Sequence, residues 1–281
     1  MFQQTAHVVA TARPGPDAGL VILEAPDIAS AAQPGQFVMV RCGNLPLRRP
    51  LSVYASDGRH IALLFRAAGQ GTTWLAARKV GEAVSVTGPL GNGFTLPSAP
   101  SRVLLLAGGF GIAPLGFLGL RLTGSHDVLL VQGARTAAEL YEPGDALRRL
   151  PHAEAQPSVF TRRLTATDDG SAGIHGMALE VALPHLEWAD RVYICGPVGM
   201  CLAAHRCAAK SDGGSTPAEV ALNPAAVERL LDAQVSLELR MGCGVGACYA
   251  CSIPSVRGRV KVCRDGPVFR FGDVTWEALA T

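Results

Sequence analysis

Met241-Gly242-Cys243-Gly244-Val245-Gly246-Ala247-Cys248-Tyr249-Ala250-Cys251, with Cys263 beyond it, holds four of the eight cysteines in the chain. The first two are separated by four residues and the next two by two. This is the plant-type C-x4-C-x2-C…C spacing of a [2Fe–2S] cluster. Glycines 242, 244 and 246 supply a physical reason for the match. Cluster sulfurs accept backbone N–H bonds, so the loop must wrap closely, and glycine permits the left-handed turns required. The competing readings are a zinc site, a disulfide pair and buried cysteines. Structural zinc sites usually show two short-spaced pairs, whereas here three thiols crowd one loop. Disulfides belong to oxidising compartments, and the sequence shows no sign of one.

The whole chain sets the bounds. Its 281 residues suffice for two or three small domains, each with a core. The formal net charge of +2 argues neither for nor against nucleic acid, but no basic run with interleaved aromatics appears, so a nucleic-acid binder is not the expectation. The N-terminus has no apolar core of signal-peptide type, and no apolar run approaches membrane-spanning length. Thiols serving metals in a reducing cytoplasm are the expected use of the cysteines. Cys42, Cys201 and Cys207 read as structural; the last two, six apart, turn by about 600° on a helix and share no face.

Upstream, from residue 5 to about 98, short apolar runs alternate with turn residues: His7–Ala10, Leu20–Leu23, Phe37–Val40, Leu51–Tyr54, Ile61–Phe65 and Ala83–Val86. Pro34-Gly35, Asp57-Gly58 and Gly88-Pro89 punctuate them. This pattern predicts a small antiparallel barrel. Arg48-Arg49-Pro50-Leu51-Ser52 sets a guanidinium and a hydroxyl at a strand entrance, a pairing suited to phosphate or flavin. Gly69-Gln70-Gly71-Thr72-Thr73-Trp74 runs into a short helix whose bare N–H groups suit pyrophosphate.

The texture changes at Arg102. Val103–Ala107 is a continuous apolar run, as a buried parallel strand requires. It leads into Gly108-Gly109-Phe110-Gly111-Ile112-Ala113-Pro114 and an apolar helix through Leu122, a dinucleotide phosphate site that is not G-x-G-x-x-G. Strands at Asp127–Gln132, near Arg163–Ala166, and at Arg191–Cys195 alternate with helical stretches and predict a doubly wound sheet. Asp168 and Asp169 disfavour a 2′-phosphate, whereas Arg135, Arg162 and Arg163 argue the other way; the balance favours NAD over NADP. Ser211–Pro217 reads as a surface loop, and Asn223-Pro224 as the start of a helix to about Ala233. Val235–Arg240 is the strand delivering the chain to the cysteine loop, and Ser252–Val262 a hairpin returning Cys263 to it.

Arg49-x-x-Ser52, Gly69-x-Gly71-Thr72, the Gly-Gly-x-Gly-x-x-Pro loop and Cys195-Gly196-Pro197, in this order, resemble the ferredoxin reductase superfamily. The resemblance implies that Arg49, Pro50, Leu51, Ser52, Leu64, Phe65, Arg66, Gly71 and Thr72 hold FAD. It implies that Gly108, Gly109, Gly111, Cys195, Gly196 and Pro197 hold NAD, with Cys195 beside the nicotinamide. Ser236-Leu237-Glu238-x-Arg240-Met241-x-Cys243 through Cys251, with Val262-Cys263-x-Asp265-Gly266-Pro267-Val268-Phe269, is similar to electron-transfer subunits of class 1B dihydroorotate dehydrogenase.

That family implies three parts: an antiparallel FAD-binding β-barrel (1–98), a doubly wound parallel-sheet NAD domain (99–222) and a small [2Fe–2S] domain (223–281). It also implies cluster ligation by Cys243, Cys248, Cys251 and Cys263, and a separate FMN-containing catalytic subunit in a hetero-oligomer for pyrimidine synthesis. The chain departs from the family in a longer stretch between Gln132 and Thr167 and in the glycine-rich segment at 211. The same chemistry would also serve the flavin subunit of a hydrogenase or another NAD(P)-linked complex. A non-catalytic redox sensor would not need the nicotinamide motifs.

Overall fold

The computed structural model describes residues 1–122, 124–149, 160, 162–209 and 222–279. The Ser211–Pro217 loop and residues 150–159 of the longer central stretch lie outside the described residues.

The first third forms a seven-stranded antiparallel sheet from β1 (Phe2–Ala12), β2 (Ala18–Glu24), β3 (Phe37–Val40), β4 (Arg49–Ser52), β5 (Ala55–Ser56), β6 (His60–Arg66) and β7 (Ala83–Leu90). Helices α1 (Pro26–Ala31) and α2 (Gln70–Ala76) lie between strands. Along β7 Val84, Val86, Gly88 and Leu90 alternate inward with less buried neighbours, the period-2 signature of a strand with one wet face. The order is β4-β3-β7-β1-β2-β6-β5, so the outermost strands are consecutive in sequence. The Val53 N–H donates to the Gln36 carbonyl (3.1 Å) on one edge, and the next residue, Tyr54, donates to Ala62 (2.9 Å) on the other. One unbroken segment, Arg49–Ser56, thus joins both edges and closes the barrel. Closure leaves the flavin-type motif at the seam.

The second sheet contains β8 (Arg102–Gly108), β9 (Asp127–Ala134), β10 (Arg162–Thr167), β11 (Ile174–His175) and β12 (Arg191–Cys195). Helices α3 (Ile112–Leu122), α4 (Pro143–Arg148), α5 (Ala178–Ala182), α6 (Val198–Ala209) and α7 (Pro224–Leu231) accompany it. Val103–Gly108 is buried throughout, as a central parallel strand must be. Asn223 caps α7 by accepting the Ala226 N–H at 2.8 Å, with Pro224 at the first helical position. The order is β11-β10-β9-β8-β12-β13-β16, where β13 is Gln234–Ser236 and β16 is Val268–Arg270. Sheet growth turns back at β8, which puts the topological switch point at Gly108.

Between those two strands come the hairpin β14 (Ser252–Ser255) and β15 (Gly258–Lys261), then the short helix α8 (Val262–Asp265). The sheet therefore takes in residues expected in the third domain: β13 pairs parallel to β12, and β16 closes it antiparallel. The delivering strand is also shorter than expected. The strand ends at Ser236, one further bond runs from the Leu237 N–H to the Pro267 carbonyl at 2.9 Å, and Glu238, Leu239 and Met241 beyond it wall a cleft.

Asn92 staples the barrel to the cysteine region. Its side-chain amide donates to Val268 O (2.9 Å) and accepts from Val268 N (3.0 Å), and its backbone N–H donates to Gly266 O (2.7 Å). A Cβ on Gly91 would meet Pro267 Cδ at 2.5 Å, so the two parts touch backbone to ring.

Candidate functional site

Cys243, Cys248, Cys251 and Cys263 are brought together by the loop and by α8. Six backbone N–H groups already point at their sulfurs. Val245, Ala247 and Cys248 donate to Cys243 Sγ at 3.3–3.4 Å, and Cys243 donates to Cys248 Sγ at 3.3 Å. Gly246 donates to Cys263 Sγ at 3.1 Å, and Cys263 to Cys251 Sγ at 3.4 Å. Burial alone would raise the Cys243 thiol, but these N–H groups and the Cys248 thiol draw it down to about 6. Cys263 is pushed up to about 12 by burial and the adjoining Cys251 thiol.

Among the described residues no three His, Cys, Asp or Glu side chains converge as one metal ion requires. A [2Fe–2S] cluster instead spreads four thiols over two irons. The donor set fits that group, and iron would deprotonate the coordinating thiols outright.

The glycines set the loop's shape. Gly244 and Gly246 have φ of 74° and 82°, and a Cβ on Gly244 would lie 2.6 Å from Met39 Cγ of β3. Gly244→Ala is expected to destabilise this contact by about 1–3 kcal/mol. The check is a lower melting temperature for cluster absorbance with the barrel transition retained. Equal melting of the two proteins would count against it.

Beside Met39 opens a cleft of about 400 Å³ between the barrel and the second sheet. Pro50, Leu51, Ser52, Leu64, Phe65 and Arg66 wall it from the barrel, and Gly108, Gly109 and Pro197 from the sheet. Leu237, Glu238, Leu239, Met241 and Pro267 complete it from the cysteine region. Arg49 reaches along the barrel to α2, where a Cβ on Gly71 would meet its Nε at 2.6 Å. Thr72 Oγ1 caps the helix by accepting the Gly69 N–H at 3.2 Å. A guanidinium over a bare helix start fits a pyrophosphate, and a cleft of this size fits a flavin ring.

A second cleft of about 400 Å³ lies over the C-terminal ends of β8, β9 and β10 and shares Arg66, Gly108, Gly109 and Pro197 with the first. Gly109 has φ of 54°, and Cβ atoms on Gly108 and Gly111 would strike Pro197 at 2.9 Å and the Cys195 carbonyl at 2.1 Å. The two glycine loops therefore pack backbone on backbone. Such a surface admits the close approach of a dinucleotide. Arg66 is held at the junction by Asp17 (3.0 Å), with its guanidinium 5.2 Å from the Phe110 ring centre.

Cys195 is fully buried and lines neither cleft; Pro197 takes the wall position. The thiol reaches the first cleft through Glu238, whose Oε1 is 3.9 Å from its Sγ. Burial and the Glu238 charge push the Cys195 thiol well up. Crowding by the cleft walls pushes the Glu238 carboxyl up as well, against the pull of Cys195 and Arg66, although its outer surface opens to the cleft. Sequence reasoning missed Glu238 and Met241 as wall residues. A carboxylate set in an apolar strand, five residues before a cysteine ligand candidate, was the available signal. Cys42 and Cys201 are buried and Cys207 half-buried, and none of the three lines either cleft.

A solved structure of NADH-dependent reduced ferredoxin–NADP oxidoreductase superposes with a TM-score of 0.74 and 26% identity, covering 98% of this chain and 92% of that one. The ferredoxin reductase of carbazole 1,9a-dioxygenase shares the fold with a TM-score of 0.60 over 73% of this chain and 64% of that one, at 24% identity. Fold and clefts together define a flavin- and nicotinamide-using redox protein of the ferredoxin-reductase kind, extended by an iron–sulfur domain.

Residues 238–275 match the iron–sulfur cluster binding domain of dihydroorotate dehydrogenase B. The electron transfer subunit of dihydroorotate dehydrogenase B (NAD+) from Desulforamulus reducens is 38% identical over 97% of this chain and 98% of its own length. That from Bacillus caldolyticus is 38% identical over 86% of each. The chain belongs to this family of electron transfer subunits.

Proposed function

We propose that this chain relays electrons between NAD+ and an FMN-containing dihydroorotate dehydrogenase catalytic subunit, as part of a cytoplasmic hetero-oligomer in pyrimidine synthesis. One observation carries the reading. Met241, two residues before Cys243, walls the same cleft as Ser52 and Arg66 of the barrel and Gly108 and Pro197 of the sheet. With these residues taken as the flavin, nicotinamide and cluster sites, the three chemistries would meet at one cleft. When bound, FAD supplies exchange between hydride and single electrons, and the cluster carries single electrons.

The chain's own residues do the positioning. Arg49 and the start of α2 would hold the flavin's phosphates, with Ser52, Leu64, Phe65 and Arg66 along its ring. The paired glycine loops with Pro197 would bring the nicotinamide against it. Cys243, Cys248, Cys251 and Cys263 would hold the iron. Glu238 is the carboxyl placed to hold a proton beside the flavin cleft. Among the described residues no helix is long and apolar enough to cross a membrane.

Electrons must leave the chain near the cysteine loop, where Val245 is 47% and Tyr249 64% exposed, with Ala247 and Cys248 also at the surface. Lys261 Nζ lies 3.9 Å from the Tyr249 ring centre and donates to Gly246 O at 3.0 Å, which steadies this face. An apolar rim of this kind suits a dry docking face around a redox centre. Val245→Glu is expected to abolish electron delivery to the catalytic subunit while NADH still bleaches the bound flavin. Normal complex formation by this variant, with cluster absorbance intact, would place the docking face elsewhere. A co-purifying partner that lacks FMN would overturn the assignment to dihydroorotate oxidation.

A further inference from the structure

With the second cleft taken as the dinucleotide site, a reading on which the proposal rests, its wall also bears on which dinucleotide enters. Three arginines argue from sequence for a 2′-phosphate, and the structure engages every one of them internally. Arg162 pairs with Asp127 at 3.6 Å and sits 4.7 Å from the Trp188 ring centre. Arg163 bonds Glu142 and donates to Gln132 Oε1 at 2.7 Å. Neither lines the cleft.

Arg135 does line it, and so do Glu139 and Asp168. Both forks of the Arg135 guanidinium go to Glu139: Nε donates to Oε2 at 3.0 Å and Nη2 to Oε1. The acid is the fixed member of this pair. Its side chain is 13% exposed against 66% for Arg135. It ends the turn Ala137–Glu139, whose first N–H donates to Ser171 Oγ at 2.8 Å. Ser171 Oγ in turn donates to Asp169 Oδ1 at 2.5 Å. Asp169 is thereby engaged in the turn after β10, whereas no hydrogen bond or ion pair among the described residues engages the Asp168 carboxylate. Arg66 also lines the cleft but is paired with Asp17 at 3.0 Å, as Arg135 is with Glu139, so the Asp168 carboxylate is the charge this wall leaves uncompensated.

We propose that Glu139 is a specificity-determining residue, which withholds Arg135 from a 2′-phosphate and leaves Asp168 to accept the free ribose hydroxyls of NAD. An exposed ion pair alone is weak and a dianionic phosphate could compete for the guanidinium. The second carboxylate is what tips the balance, because a phosphate entering here meets uncompensated negative charge. Removing the Glu139 charge frees a flexible guanidinium on the cleft wall and removes one of the two repelling groups.

The test uses the flavin- and cluster-loaded chain and two redox-inert probes, ADP-ribose and 2′-phospho-ADP-ribose, by equilibrium titration. The wild type should prefer ADP-ribose. Glu139→Gln should shift the affinity ratio toward the phosphorylated probe by roughly tenfold or more, the scale of one charge-assisted contact. Adding Arg135→Ala to that variant should cancel the shift, and Asp168→Ser should weaken ADP-ribose binding. A ratio unchanged in Glu139→Gln, or a gain that survives Arg135→Ala, overturns the inference. Flavin bleaching by NADH and NADPH is run alongside. If neither bleaches the wild type and neither probe binds, the dinucleotide reading of the cleft falls, and the inference with it.

Discussion

Cys263→Ser should yield a chain that keeps its FAD and loses nearly all of its visible cluster absorbance. Cys263 stands apart from the other three thiols in sequence and reaches them only because the hairpin β14–β15 and α8 return the chain. Its sulfur accepts the Gly246 N–H at 3.1 Å and lies beside Cys251, so it forms one wall of the thiol set. Serine keeps the shape but offers an alcohol whose proton is far harder to remove, and a hard oxygen ligand where iron–sulfur clusters take soft thiolates. Cys42→Ser is the matched control: that thiol is buried in the barrel, 3.8 Å from the Val40 carbonyl. Anaerobic absorbance and iron content per chain make the measurement. Full iron content in Cys263→Ser would remove this residue from the ligand set.

The second large effect is expected at Arg49. Replacing it by alanine removes the guanidinium from the start of α2 while leaving β4 paired to β3 through its backbone. A charged contact to a phosphate contributes roughly 1.5–3 kcal/mol, so FAD affinity should fall by about ten- to a hundredfold. Gel filtration should then separate yellow cofactor from a folded, colourless barrel. Far-ultraviolet circular dichroism checks that the fold survives. An apoprotein that rebinds FAD with wild-type affinity would show that the phosphates lie elsewhere.

Much of this was legible in the sequence, and the reasons differ by element. Strands β1, β2, β3, β6 and β7 follow short apolar runs cut by glycine and proline, and each contains the expected run. Val103–Ala107 announced a central parallel strand because both of its faces are buried. Asn223-Pro224 marked a helix start because capping is a local property. What stayed hidden depends on contacts distant in sequence. Nothing in Arg49–Ser56 says that its two halves pair with opposite edges of one sheet. Neither do three residues at Gln234 announce that they extend a sheet begun at Arg102. Cys195 shows the limit of a motif: of its three residues only Pro197 reaches the cleft wall, while Gly196 packs against Gly108 and the thiol is buried. Arg135 shows the converse, since its charge was visible but its cancellation by Glu139 was not.

The shared sheet also bears on how the iron–sulfur region can move. A carrier that shuttles between donor and acceptor needs a tether and a surface it can leave. Here the region is stitched into its neighbour's sheet by β13 and β16 and fastened to the barrel by Asn92. Swinging it away would strip two strands from β12 and expose a long edge prone to pairing with other chains. The centre is therefore wired in place like a terminal on a board, and a docking subunit must travel to it.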